Sequence, residues 1–99
     1  MSASLPLDAA AVATPDQLST RLGEEVVILG LRDSAYYGLA EVGARIWDLL
    51  QTPRTLADIV DILVAEYEVN AERAADDLRM LIGQLQSRGL VAITLPDRA

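Results

Sequence analysis

The sequence predicts an α+β domain in which a three-stranded antiparallel sheet precedes three helices. Three observations carry this. Between residues 17 and 39 the apolar residues alternate or run together, and two short polar turns interrupt them. From Glu41 onward they recur every three or four residues, the period of a helix with one buried face. Thr55, Asn70, Pro53 and Gly89 then divide the second half into separate helices.

Residues 17–22 (QLSTRL) place Leu18, Thr20 and Leu22 at period two, as in a short half-buried strand. Gly23–Glu24 make a turn, and EVVILGL (25–31), β-branched and apolar on both faces, suits a central strand. Arg32–Ser34 make a second turn before the third strand, AYYGL (35–39). The first helix covers about 41–51, and Pro53 closes it because the ring cannot continue a helix. Thr55 is an N-cap with Asp58 three residues on, and Leu56, Ile59, Val60, Leu63 and Tyr67 form the second helix's core stripe. Asn70 caps the third helix, whose stripe is Ala71, Ala74, Ala75, Leu78, Leu81, Ile82 and Leu85. That helix ends at Ser87–Arg88, with Gly89 in the left-handed position beyond it. LVAITL (90–95) reads as a short C-terminal strand or wing, so the outline is winged-helix-like. Residues 1–15 (MSASLPLDAAAVATP) read as a flexible tail of small residues, residues 16–95 as the single domain, and 96–99 as a C-terminal tail.

Composition removes most chemistries. With no Cys and no His, the chain has no thiolate or disulfide and lacks the commonest general base and the commonest metal ligand. It has no Lys and no glycine-rich phosphate loop, and its carboxylates lie at helical positions that read as solvated faces. The expectation is therefore binding without catalysis, with no catalytic residue, metal or cofactor. A net charge of −7 opposes the cationic surface that nucleic-acid binding requires. No apolar run spans a membrane and the start lacks a signal peptide, so a cytoplasmic protein with no membrane partner is expected.

A meander leaves one edge of its last strand unpaired. Residues 35–38 carry none of the charge, proline or bulge that usually protects an edge. Tyr36 and Tyr37 must face opposite ways, so one packs on the helices and the other stands outside. On the third helix Arg73, Asp77, Met80 and Gln84 flank the core stripe, giving a groove one adaptable wall. Two readings stand open: a core tyrosine beside an amphipathic surface one, or an edge that accepts a peptide strand, with Ala35 and a tyrosine shaping the pocket and proline at Ala35 blocking it.

YYGLAEVGARIWDLL, RTLADIVDILVAEYEV and ERAADDLRMLIGQLQSRGLV resemble the PqqD-like family over about residues 17–92. The ordered set is Leu39, Gly43, Ile46, Trp47, Thr55, Tyr67, Asp77, Leu81, Leu85 and Gly89–Leu90–Val91. Its phrasing is most similar to the stand-alone recognition proteins of lasso-peptide pathways. The resemblance implies a non-catalytic module for ribosomally synthesised, post-translationally modified peptides. It captures a precursor's leader as an extra strand and presents it to a modifying enzyme or leader peptidase. The site it implies comprises Ser34, Ala35, Tyr36 and Tyr37 on the strand, with Arg73, Ala74, Asp77, Met80, Leu81 and Gln84 on the helix. Where the family has Leu-Asn after the strand, this chain has Leu39–Ala40, which removes a helix-capping side chain. The alternatives are a winged-helix DNA-binding regulator and a dimerisation domain that pairs through the third strand's edge. The module itself is expected to be a monomer, or a weak dimer through that edge.

Overall fold

A computed structural model describes residues 5–96 as two small antiparallel sheets and three helices. The strands are β1 (Ala10–Ala13), β2 (Gln17–Leu22), β3 (Glu25–Gly30) and β4 (Tyr36–Ala40). Helix α1 (Val42–Leu49) follows, then β5 (Arg54–Thr55), α2 (Leu56–Glu66), α3 (Ala71–Ser87) and β6 (Val91–Thr94). One sheet has the order β2-β3-β4 and the other β5-β1-β6. The expected meander, three helices and C-terminal strand are all present, with α1 shorter at both ends than 41–51.

The helix ends are where the capping residues place them. Thr55 Oγ1 accepts from the Asp58 amide at 3.1 Å, and Asn70 Oδ1 from the Arg73 amide at 2.7 Å. At the other end of α3 the Gly89 amide donates to the Gln86 carbonyl and the Leu90 amide to the Leu85 carbonyl, both at 3.0 Å. Gly89 takes φ +76° to permit this paired closure, a backbone that a Cβ would strain. Helix α1 starts differently. Its N-cap, Glu41, has φ 54° and ψ −119° and makes no side-chain cap bond. Ala40 ends β4 and the N-cap falls on Glu41, so the residue after Leu39 is not the cap, and the strain at the junction of β4 and α1 lies in the Glu41 backbone.

The core lies between the inner face of β3–β4 and the three helices. Val26 and Ile28 are buried there with Ile46, Trp47, Ile59, Leu63, Leu78 and Ile82. In the second helix's stripe Leu56, Ile59, Val60 and Leu63 are buried, but Tyr67 is its exposed C-cap. On α3 the buried set is Ala74, Ala75, Leu78, Ile82 and Leu85, while Ala71 is exposed and Leu81 half-buried.

Two expectations need correction. Residues 1–15 are not all tail: Ala10–Ala13 form β1, paired with both β5 and β6, and Ala9 and Ala11 are fully buried. Alanine is a poor strand former, and both partners lie far along the chain, so no local pattern marks this strand. Residues 1–4 and 97–99 lie outside the described part. The second correction concerns β2, whose alternation is real but faces outward. Leu18 and Leu22 are 63% and 60% exposed. They stand with Tyr36 on the outer face of the sheet, as the pairings Leu18↔Leu29 and Leu29↔Tyr36 require. On the inner side Arg21 reaches Asp48 of α1 in an ion pair, so β2 closes the core's edge with charge.

Glu41→Gly should raise stability by about 1 kcal/mol, because relief of roughly 1–3 kcal/mol of strain exceeds glycine's entropic cost of about 0.5–1. Urea unfolding checks this. A lower midpoint for the variant would mean that the glutamate is not strained there.

Candidate functional site

Among the described residues, strand β4 has a neighbour on one side only. The Gly30 amide donates to the Ala35 carbonyl at 2.9 Å, which makes Gly30–Ala35 a hydrogen-bonded pair. Antiparallel pairs alternate, and the register continues Ile28↔Tyr37 and Val26↔Leu39. Tyr37, Leu39 and the Ala35 carbonyl therefore face β3. Tyr36, Gly38 and Ala40 turn theirs to the open edge. Side chains alternate with the same parity: Tyr37 and Leu39 pack against the core cluster, and Tyr36 is 72% exposed on the outer face.

The turn before β4 is tightly held. Asp33 accepts from the Ala35 amide at 3.0 Å and from the Tyr37 hydroxyl. The Tyr37 hydroxyl and then the Ala35 amide hold the Asp33 carboxyl below its ordinary pKa. A Cβ at Gly30 would come within 2.6 Å of the Asp33 carboxylate and would displace the side chain that closes the turn. Ser34 accepts φ 56° at its tip. Arg88 lies over the Tyr37 ring, 4.8 Å from its centroid, and Nη1 donates to the hydroxyl at 3.3 Å. The inner tyrosine thus ties the strand to the end of α3.

Beyond the far end of β4 lies an apolar cavity of about 280 Å³. Ala74, Leu78 and Leu81 of α3 form one wall, Val42, Gly43 and Ile46 of α1 another, and Leu63, Tyr67 and Val69 close it. Asp77 provides its charged rim and pairs with Arg73 at 3.3 Å. The volume lies just under the roughly 300–1,000 Å³ of small-molecule pockets and matches one or two apolar side chains. A more polar cleft of about 560 Å³ lies beside Glu41 and Arg45, where Arg45 already pairs with Glu66 and Arg21 with Asp48.

Of the ten residues expected at the site, Ala74, Asp77 and Leu81 come together in the cavity. Tyr36 lies on the open edge. Arg73 stands beside Asp77, and Met80 (66% exposed) and Gln84 lie further along the exposed side of α3. Ser34 sits in the turn. Tyr37 faces β3 with its backbone, and Ala35 gives β3 its carbonyl and Asp33 its amide, so neither presents the edge itself, and proline at Ala35 would break the Asp33 turn instead. Sequence reasoning missed Val42, Gly43, Tyr67 and Val69 as cavity walls. The signal for Tyr67 was its place just after the last buried turn of α2, where a stripe residue no longer faces the core. Among the described residues no group of acidic side chains could hold a metal ion.

Together these features define a small α+β domain with a bare strand edge and an apolar cavity side by side. The chain belongs to the PqqD family: the model of Coenzyme PQQ synthesis protein D (PqqD) matches residues 25–91. Two solved structures share the fold. TbiB1 in complex with the TbiA(beta) leader peptide is 34% identical, with a TM-score of 0.78 over 87% of this chain and 99% of that one. Lasso peptide synthetase B1 complexed with the leader peptide is 26% identical, with a TM-score of 0.74 over 83% of this chain and 96% of that one. A comparison with curated protein sequences finds no match.

The hold on Asp33 has a pH signature. Because its carboxyl is lowered in the folded state, the stabilisation is complete above its ordinary value of 3.8 and fades as pH falls below that. Thermal unfolding of Asp33→Asn should fall below wild type at pH 6, and the gap should close toward pH 2. A gap that stays constant across this range would contradict the contact.

Proposed function

We propose that this protein is a non-catalytic leader-binding module. It takes up the leader of a ribosomally made precursor as a fourth strand on β4. The observation that carries this is the parity of β4: the backbone groups of Tyr36, Gly38 and Ala40 are free beside a cavity shaped for apolar side chains. The leader complexes of the two similar structures support the same reading. Strand addition explains the bare edge, and the cavity explains how a sequence is selected.

The energetics suit transient capture. About four backbone bonds at ~1 kcal/mol and two or three apolar anchors at ~2 kcal/mol give roughly 8–10 kcal/mol. Ordering the leader costs roughly 2–5, which leaves a Kd between about millimolar and micromolar. A module that hands its cargo to an enzyme benefits from such reversibility. The enzyme that acts on the precursor is the expected partner of the outer face. Leu18, Leu22, Leu31 and Tyr36 are exposed on or beside that face, and a leader strand on β4 would extend the same face. The charge of −7 disfavours the DNA-binding alternative.

Gly38→Pro removes one outward amide from an edge strand. A Cβ there meets nothing within 4 Å, so the fold should persist. Binding of a fluorescently labelled TbiA(beta) leader peptide, followed by fluorescence polarisation, should weaken about tenfold or more. Leu81→Asp should abolish it by placing a charge in the cavity. Unchanged affinity in both variants, with circular dichroism confirming their folds, would contradict strand addition at this site.

A further inference from the structure

Seven arginines lie among the described residues, and their partners differ. Arg21, Arg45, Arg73 and Arg79 stand in ion pairs, and Arg54 donates to the Leu49 carbonyl at 3.0 Å. Arg32 and Arg88 have no ion pair within 4 Å among the described residues. These two meet. A Cβ on Gly89 would lie 3.2 Å from Arg32 Nη1, and Arg88 precedes that glycine. Of the acidic residues near them, Asp33 already accepts from the Ala35 amide and the Tyr37 hydroxyl, and Asp16 lies beside Arg32, its carbonyl accepting from the Leu31 amide at 3.0 Å. In a chain of net charge −7, two guanidinium groups without an ion pair among the described residues stand at this corner.

Its position relative to the groove gives it a use. Asp77, Leu81, Gln84 and Arg88 follow at spacings of four, three and four, so they share one face of α3. Arg88 reaches the Tyr37 side chain at the start of β4, and the apolar cavity lies beyond the other end of that strand. From the middle of the Asp77–Leu81 segment to Arg88 is nine residues of helix, about 13 Å. An extended chain covers this in about four residues, an even number that brings its side chain back to the same face.

We propose that Arg32 and Arg88 form an acid-reading subsite of the groove, which takes an Asp or Glu of the bound peptide about four residues from its apolar anchor. The subsite rests on the proposed leader-binding role and adds to it. Backbone pairing alone admits either strand direction and any register in steps of two. A cationic end opposite an apolar cavity selects one of each. The prediction opposes the field of the whole protein, since a charge of −7 favours basic peptides everywhere else. One position should carry the opposite preference.

Selection of random 15-residue peptides by mRNA display on the wild-type protein, and separately on Arg32→Glu/Arg88→Glu, tests this. Wild type should enrich peptides with Asp or Glu at a fixed spacing of about four from an apolar residue. The charge-reversed variant should enrich Arg or Lys at that position. Exchanging Glu for Lys in one selected peptide should cost wild type about tenfold in affinity and restore binding to the variant. Peptides that bind both proteins with no charge preference at a fixed position would overturn the subsite and leave leader binding standing. Failure of folded wild type to enrich any peptide would overturn both.

Discussion

Strand β4 is constrained by a single rule of parity, and the site depends on it. A residue in a strand directs its side chain to one face and its backbone groups to one edge, and both choices alternate together. Pairing Gly30 with Ala35 therefore decides four things at once. Tyr37 and Leu39 enter the core side, their amides bind β3, Tyr36 stands outside, and the amides of Tyr36, Gly38 and Ala40 remain open. A shift of one residue would bury Tyr36, expose Tyr37 and exchange the two edges. The turn built from Gly30, Asp33 and Ser34, with Arg88 behind Tyr37, holds the register against that shift.

The adjacent tyrosines are explained by the same parity. Tyr37 belongs to the fold: its ring lies under Arg88 and its hydroxyl closes the Asp33 turn. Tyr36 belongs to the surface, where it joins Leu18 and Leu22. Strand β4 also feeds directly into α1 through Glu41, so the edge and the cavity wall of Val42, Gly43 and Ile46 are joined by one strained residue.

The parts of the fold with local chemistry were legible in the sequence. Thr55, Asn70 and Gly89 announce helix ends by what their own atoms can do, and β3 announces a central strand by its uninterrupted β-branched run. The strand β1 was not legible, because Ala10–Ala13 acquire their place from β5 and β6, which lie 41 or more residues away. For β2 the period was readable but not the side, since nothing local tells a strand which of its faces meets the helices. The site divides in the same way. Asp77 and Leu81 follow from helical spacing, whereas Tyr67 and Val69 line the cavity only because α2 ends just before them. The open backbone groups are less legible still, because they depend on which member of each pair bonds to β3.

The most direct test is amide hydrogen exchange with and without saturating leader peptide, read residue by residue by NMR. The amides of Tyr36, Gly38 and Ala40 should exchange freely in the free protein and become protected on binding, while Tyr37 and Leu39 are slow throughout. Protection that appears elsewhere on binding, with Tyr36, Gly38 and Ala40 unchanged, would contradict capture by strand addition to β4.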